Sequence, residues 1–499
     1  MWYGAVVFVS SAFLLVLEIV AGRLLAPYVG VSLYTWTSII GVILAGLSLG
    51  NWLGGLWADR GGDEQAVGLT LGLAGLFSLA ILPLLTLVAP MIETRGLGLL
   101  SASFFYVLAL FFIPGVLLGV ITPLLTTIAL RLDARAGHVV GRMHALAALG
   151  AILGTFITGF VLIQYVGTRN VIVGTGIGLL VLAAPFLLRA RRAVPAALVA
   201  GLVLIASVGY ARGALIDPCE RESSYFCIRV VDEPSAFGPT RALVLDYLKH
   251  GANSSQHPAL FVAPYVHLMD ELVLHHFGRE RAGDLNYFFA GGGAYTLPRG
   301  IRHLRPQAGI TVAEIDPLVT RVAAEKLFVD TADMRILHED ARMALGRNDT
   351  RYDVVFGDAF HDISIPYHLV TREYNQLVKS RLTEHGIYIL NVLDAFPNAE
   401  LVKTMVNTLE RDFAHVAVWM EFAPSEPTRM TYVISASDAH APPEFIRPAR
   451  QGGGQRGWLR VNEPLFQVGL PREQLPVLTD DFVPVERLVS GFFFDTLGN

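Results

Sequence analysis

The first 212 residues of this 499-residue chain are nearly without charge. The chain carries 38 Lys and Arg and 43 Asp and Glu, yet only 17 of these fall in residues 1–212, and no lysine precedes Lys249. A solvated globular surface cannot be built from such a segment, since soluble domains are about a quarter charged. A basic stripe is also missing and the net charge is −5, which excludes nucleic acid as a partner. Cysteine is limited to Cys219 and Cys227, and His267, His275 and His276 have no recognisable ligand spacing, so no metal centre is expected. No basic leader precedes the first apolar run, which contains Glu18 and Arg23; it reads as a span, not as a cleaved signal peptide.

What is present instead is long apolar sequence. Runs near 4–26, 36–58, 66–90, 98–130, 143–165, 170–188 and 194–211 each approach or exceed the ~20 residues needed to cross a bilayer, giving seven spans. The fourth holds Pro114, where a kink or a break is expected. This is a multi-pass chain of an inner (plasma) membrane. Glycines crowd the second and fifth spans (Gly46, Gly50, Gly54, Gly55; Gly150, Gly154, Gly159), a spacing that lets helices pack closely. Glu18 and Arg23 read as a structural ion pair, or as an arginine reaching for the interface, ahead of a functional site. Arg60, Arg131, Arg135, Arg142, Arg189, Arg191 and Arg192 follow even-numbered spans, whereas the opposite loops have little beyond Arg95 and Arg169. Positive charge stays inside, which would put the sequence after the seventh span outside. Cys219 and Cys227 just after that span agree, if they form a disulfide in an oxidising compartment, and say nothing if they are two unrelated thiols. The side is left open here, because the second half points to a cytosolic ligand.

Residues 213–283 form a linker and small β region, 284–440 a doubly wound α/β domain and 441–499 a C-terminal extension. Strands are expected near 286–290, 310–315, 334–338, 353–358, 386–393, 415–421 and 430–436, with helices between them such as 317–328 and 371–382. Leu285-Asn-Tyr-Phe-Phe-Ala runs into Gly291-Gly292-Gly293, a turn that lets a ligand approach the backbone. Glu314, about 20 residues on, is placed to take ribose hydroxyls; Asp340, beside Ala341, follows a third strand and can reach a base edge. Asp358 ends a fourth strand in the same crevice. This is a nucleoside-binding pattern that requires no pyrophosphate.

These segments carry a family resemblance. Leu243-Val-Leu-Asp246, Tyr265 with Asp270-Glu271, Gly291–Gly293, Glu314-Ile-Asp316, Asp340-Ala341, Tyr352-Asp-Val-Val-Phe-Gly-Asp358 and Glu373-Tyr-Asn-Gln-Leu-Val-Lys379 resemble the polyamine aminopropyltransferases (spermidine synthases) over residues 223–393. The chain as a whole resembles the family's membrane-embedded relatives, through Glu18, Arg23, Trp36 and Ala58-Asp-Arg60 as well. The resemblance implies a methyltransferase-like Rossmann fold and decarboxylated S-adenosylmethionine as co-substrate, with no permanently bound cofactor. Gly291, Gly292 and Gly293 would line the donor pocket, Glu314 would hold the ribose, and Asp340 and Ala341 would meet the adenine. Asp358 would be the general base and Tyr265 would line the acceptor channel. Three positions depart from the pattern. The family's Asp after the glycines is missing from Gly293-Ala294-Tyr295-Thr296, which forgoes a charge-assisted hydrogen bond worth roughly 1.5–3 kcal/mol. The second Asp after the base is replaced by His361, with Asp362 beside it. Tyr247 stands where a Gly is expected, and Gln256 is the nearest counterpart of a following Gln.

The expected function is aminopropyl transfer to a putrescine-like amine. The alternatives are an S-adenosylmethionine-dependent methyltransferase on the same fold, or a non-catalytic nucleoside- or polyamine-sensing or transport protein. The partners are the lipid bilayer and a small amine, and a homodimer is an assembly the chain permits.

Overall fold

The computed structural model describes residues 2–95, 97–133, 135–188, 193–235, 238–359, 365–448 and 456–490. The chain divides into two compact units, residues 1–227 and 228–499.

The first unit contains, among the described residues, seven helices long and apolar enough to cross a membrane. They are α1 (Trp2–Val29), α2 (Leu33–Asp59), α3 (Glu64–Glu93), α4 (Leu99–Leu132), α5 (Ala136–Val166), α6 (Thr168–Leu187) and α7 (Ala193–Ala211). Helix α4 runs unbroken through Pro114 and Pro123, so the expected break is absent. The glycine stripes set the packing. A Cβ at Gly50 would lie 2.1 Å from the Val116 carbonyl oxygen of α4, and one at Gly150 would lie 2.0 Å from that of Phe8 in α1. Backbones in such contact leave no room for a side chain. Gly50→Val should force α2 from α4 and cost at least the roughly 1–3 kcal/mol of an overpacked core; thermal unfolding in detergent reads this directly.

Arg23 does not turn to Glu18. Its guanidinium donates to the carbonyls of Tyr225 (2.6 Å) and Ser223 (2.8 Å) and stands 3.8 Å from Glu222. The segment after α7 thus folds back onto its own bundle, and a Cys219–Cys227 disulfide closes it.

The second unit opens with an antiparallel meander: β1 (Cys227–Glu233), β2 (Thr240–Leu245) and β3 (Leu248–Ser254). Helix α8 (Pro264–Phe277) leads to the main sheet. Its strands are β4 (Asn286–Ala290), β5 (Gly309–Ala313), β6 (Arg335–Leu337), β7 (Tyr352–Gly357), β8 (Leu382–Phe396), β9 (His415–Met420), β10 (Thr428–Ser437), β11 (Phe445–Ile446) and β12 (Trp458–Arg460). In spatial order they read β11-β12-β9-β10-β8-β7-β4-β5-β6. Strands β8, β7, β4, β5 and β6 are parallel; the others pair antiparallel. β4 is the start of both wings, one leading to β5 and β6 and the other to β7 and β8. The crevice beside it at the strands' carboxyl ends is where such sheets bind ligands. Continuous apolar strands are what a parallel sheet covered on both faces requires: Tyr287, Phe288, Val312, Val354, Val355 and Phe356 are all buried. The sheet runs past residue 440, because β11 and β12 extend its antiparallel edge. The glycine-rich stretch Gly452-Gly-Gly-Gln-Arg-Gly457, a loop by composition, lies largely outside the described residues.

Candidate active site

Strand register brings the site together. Ala290 pairs with Ala313 on one side and Gly357 on the other, so the next residues, Gly291, Glu314 and Asp358, emerge side by side. Backbone bonds lock this arrangement: the Gly291 amide donates to the Ala313 carbonyl (2.9 Å) and the Asp358 amide to the Ala290 carbonyl (3.0 Å). Gly291 has φ +97°, and a Cβ there would lie 2.5 Å from the Asp358 carbonyl oxygen. Glycine is therefore required at 291 both by conformation and by space.

Glu314 sits under the turn. Its carboxylate accepts from the amides of Gly292 (2.9 Å), Gly293 (3.1 Å) and Asp316 (2.9 Å). Burial raises its pKa, and these three amides pull the other way. The carboxylate placed by sequence at the ribose thus also ties down the glycine loop. From above, Asn253 of β3 donates to the carbonyls of Ala294 (2.7 Å) and Leu327 (3.0 Å), so the meander holds the same loop.

Asp358 faces a cavity that Tyr265, His250, Gly291, Gly292 and Thr296 also line. Gly357 pairs with Leu390, which sets Asn391 beside Asp358, and its side-chain amide donates to Asp358 Oδ1 at 2.8 Å. Burial pushes the Asp358 carboxyl up to about 6, against the lowering effect of that hydrogen bond. Burial, helped by the Asp358 charge, pushes the Tyr265 phenol well above its ordinary value, so it remains protonated. A carboxylate with its proton affinity raised toward neutrality in a crevice is suited to accept a proton from a bound nucleophile.

Asp340 caps the helix α9 (Ala341–Arg347), accepting from the amides of Arg342 (3.0 Å) and Met343 (3.1 Å). Its other oxygen meets His368 Nε2 at 2.7 Å. Burial opposes ionisation, but His368 and the two amides prevail and hold Asp340 below the usual carboxylate range. Ala341 is buried behind it. Arg342 binds Asp480 through two nitrogens (2.7 and 2.6 Å), and the Asp480 amide donates to Glu373, so the C-terminal segment straps this edge.

The structure thus gathers Gly291, Gly292, Asp358 and Tyr265 around one cavity and places Glu314 and Asp340 on the adjoining strand ends. Gln256 is exposed beside Gly238 and is not among the residues lining the cavity. Asp362, like His361, lies outside the described residues. Sequence reasoning missed His250, Thr296, Asn391 and His368. Asn391 alone left a signal, a lone amide in the apolar run Ile389-Leu-Asn-Val392. Ala294 is buried where the family carries Asp, and the nearby Thr296 hydroxyl, buried in the cavity wall, has no hydrogen-bond partner among the described residues. Among the described residues, no group of three or more His, Cys, Asp or Glu is placed to hold a metal ion.

The sequence profile of the spermine/spermidine synthase domain matches residues 271–444. The probable polyamine aminopropyl transferase of Bifidobacterium longum (strain NCC 2705) is 29% identical over 213 residues, 40% of this chain and 47% of that protein. The polyamine aminopropyltransferase of Vibrio vulnificus (strain CMCP6) is 31% identical over 105 residues, 20% of this chain and 34% of its own. The chain therefore spans about half or less of these curated relatives. A probable spermidine synthase from Corynebacterium glutamicum ATCC 13032 superposes with a TM-score of 0.44 at 20% identity, covering 52% of this chain and 95% of that one. A spermidine synthase in complex with the transition-state analogue AdoDATO gives 0.30 at 16% identity, covering 54% and 85%. Residues 271–444 of this chain carry a spermine/spermidine synthase domain.

Proposed function

We propose that this protein is a membrane-bound aminopropyltransferase that moves an aminopropyl group from decarboxylated S-adenosylmethionine to a small amine, with Asp358 as general base. The observation that carries this reading is Asp358 itself, its pKa raised to about 6, on the cavity that also exposes the glycine turn, within the matched domain. The reaction needs little more. The leaving group is a neutral thioether, so alignment of the amine behind the carbon supplies most of the acceleration. Asp358 steers the amine and takes its proton, Asn391 holds the carboxylate, and protonated Tyr265 lines the same cavity. Glu314 holds the glycine turn and meets the ribose, and Asp340 with Ala341 borders the base. Seven helices long and apolar enough to cross a membrane support the membrane-bound part of this reading.

One observation favours a second reading, an S-adenosylmethionine methyltransferase on the same fold. Where the family has a carboxylate for the aminopropyl ammonium, this cavity offers Ala294 and the neutral Thr296 hydroxyl. Calorimetric titration of the purified protein with S-adenosylmethionine, its decarboxylated form and methylthioadenosine separates the two. The expected result is preference for the decarboxylated donor, lost in Glu314→Ala. Preference for the carboxylated form transfers the assignment to a methyltransferase, and binding of none removes both enzymes.

A further inference from the structure

The two ends of the helical bundle can be told apart, and with them the side on which the second unit lies. Consecutive spans alternate direction, so the loops after α2, α4 and α6 share one end and those after α1, α3, α5 and α7 share the other. Contacts within the unit agree. At the first end Arg131, closing α4, donates to the carbonyls of Ala58 (3.3 Å) and Gly62 (3.4 Å) after α2. At the second end, Arg23 near the close of α1 and Thr168 and Arg169 opening α6 all hold the segment that follows α7. Thr168 donates through its amide (2.9 Å) and its hydroxyl to Glu222, while Arg169 binds the Ala214 carbonyl and stands 3.9 Å from Asp217.

The two ends also differ in charge. Seven arginines (60, 131, 135, 142, 189, 191, 192) belong to the first end. The second has Arg23, Arg95, Arg169, Arg212 and Arg221, of which Arg23 and Arg169 are largely buried against Glu222, Asp217 and backbone carbonyls. By sequence the first end carries seven arginines against five at the second. The end richer in arginine marks the cytoplasmic side. Independently, the segment at the second end is closed by the Cys219–Cys227 disulfide, a bond that persists in oxidising compartments.

We infer that the segment after α7, and the whole domain continuous with it, lie on the non-cytoplasmic face of the membrane. This topology does not depend on which reaction the domain catalyses. Taken with the aminopropyltransferase reading, it has a chemical consequence: a sulfonium nucleoside carries a fixed charge and does not cross a bilayer unaided, so a transport step must deliver the donor before transfer.

The test uses the full chain carrying Ser380→Cys. Ser380 is exposed on the helix α10 (Arg372–Arg381) of the second unit, and among the described residues its hydroxyl bonds only to the Leu377 carbonyl of its own helix, so the change is mild. In sealed right-side-out vesicles, a membrane-impermeant maleimide should label the introduced thiol, while the unsubstituted chain takes no label until a reductant exposes two thiols. Alkaline phosphatase fused after Asn499 should be active in the same cells, a readout indifferent to small perturbations of the domain. Labelling only after lysis, an inactive fusion, or Cys219 and Cys227 reacting without reductant would each overturn the inference. Enzyme activity is not measured, so failure here leaves the functional reading untouched, and failure of that reading leaves the topology untouched.

Discussion

Asp358→Asn should lower kcat/KM for aminopropyl transfer by about 10²–10⁴-fold, the range of a lost general base, while leaving donor affinity nearly unchanged. The substitution keeps size and the ability to meet Asn391, so what disappears is proton affinity. The pH profile supplies a second signature. With the carboxyl titrating at about 6, the rate should fall as pH drops through that value, because the base is then protonated. Stability should move the opposite way. Burial lifts the folded pKa from the ordinary 3.8 to about 6, so the folded state holds the proton more tightly than the unfolded chain. That stabilisation is complete below about pH 4 and is lost as pH rises through 6. At about 1.4 kcal/mol per tenfold change in affinity, the loss is at most about 3 kcal/mol. Asp358→Asn should therefore melt at a higher temperature than the native protein at pH 7, and the difference should vanish near pH 4. A variant that keeps more than a tenth of the activity rules out the base role; one that is inactive but destabilised at pH 7 shows that Asp358 is a structural residue.

Gly291→Ala should be nearly as damaging, by another route. The new methyl group meets the Asp358 carbonyl at 2.5 Å, and alanine at φ +97° is strained before any contact is made. The strand ends must separate. Asp358 then moves relative to the donor pocket, and a displacement of about 1 Å can cost 10²-fold in a reaction driven by alignment. Both KM for the donor and kcat should suffer, unlike in Asp358→Asn, where kcat alone falls. Gly293, where a Cβ would come no closer than 3.6 Å to the His250 carbonyl, serves as the comparison. Gly293→Ala should be the milder variant in the same assay. Equal effects at the two positions would show that strain, not the approach to Asp358, is what matters.

Much of this was legible in the sequence for a local reason. A strand that ends in Gly291, Glu314, Asp340 or Asp358 announces itself by an apolar run and a following acidic or glycine residue, and the order of such strands implies the doubly wound sheet. The seven long apolar helices were legible because apolar length and missing charge are properties of composition. The tertiary structure decided which distant residues complete each of these features. Asn391 reaches Asp358 only because β8 lies beside β7 in the register Gly357–Leu390, and His368 meets Asp340 across 28 residues. Asn253 and His250 come to the glycine turn from a meander that periodicity can outline but cannot dock, and Thr296 of the cavity wall left no sequence signal for the same reason. Arg23 looked paired with its helical neighbour Glu18, yet its partners lie about 200 residues away. Local pattern determines which face of an element is buried and where the element stops. It does not encode the loop closures and strand order that select each side chain's partner, and those depend on the packing of the whole fold.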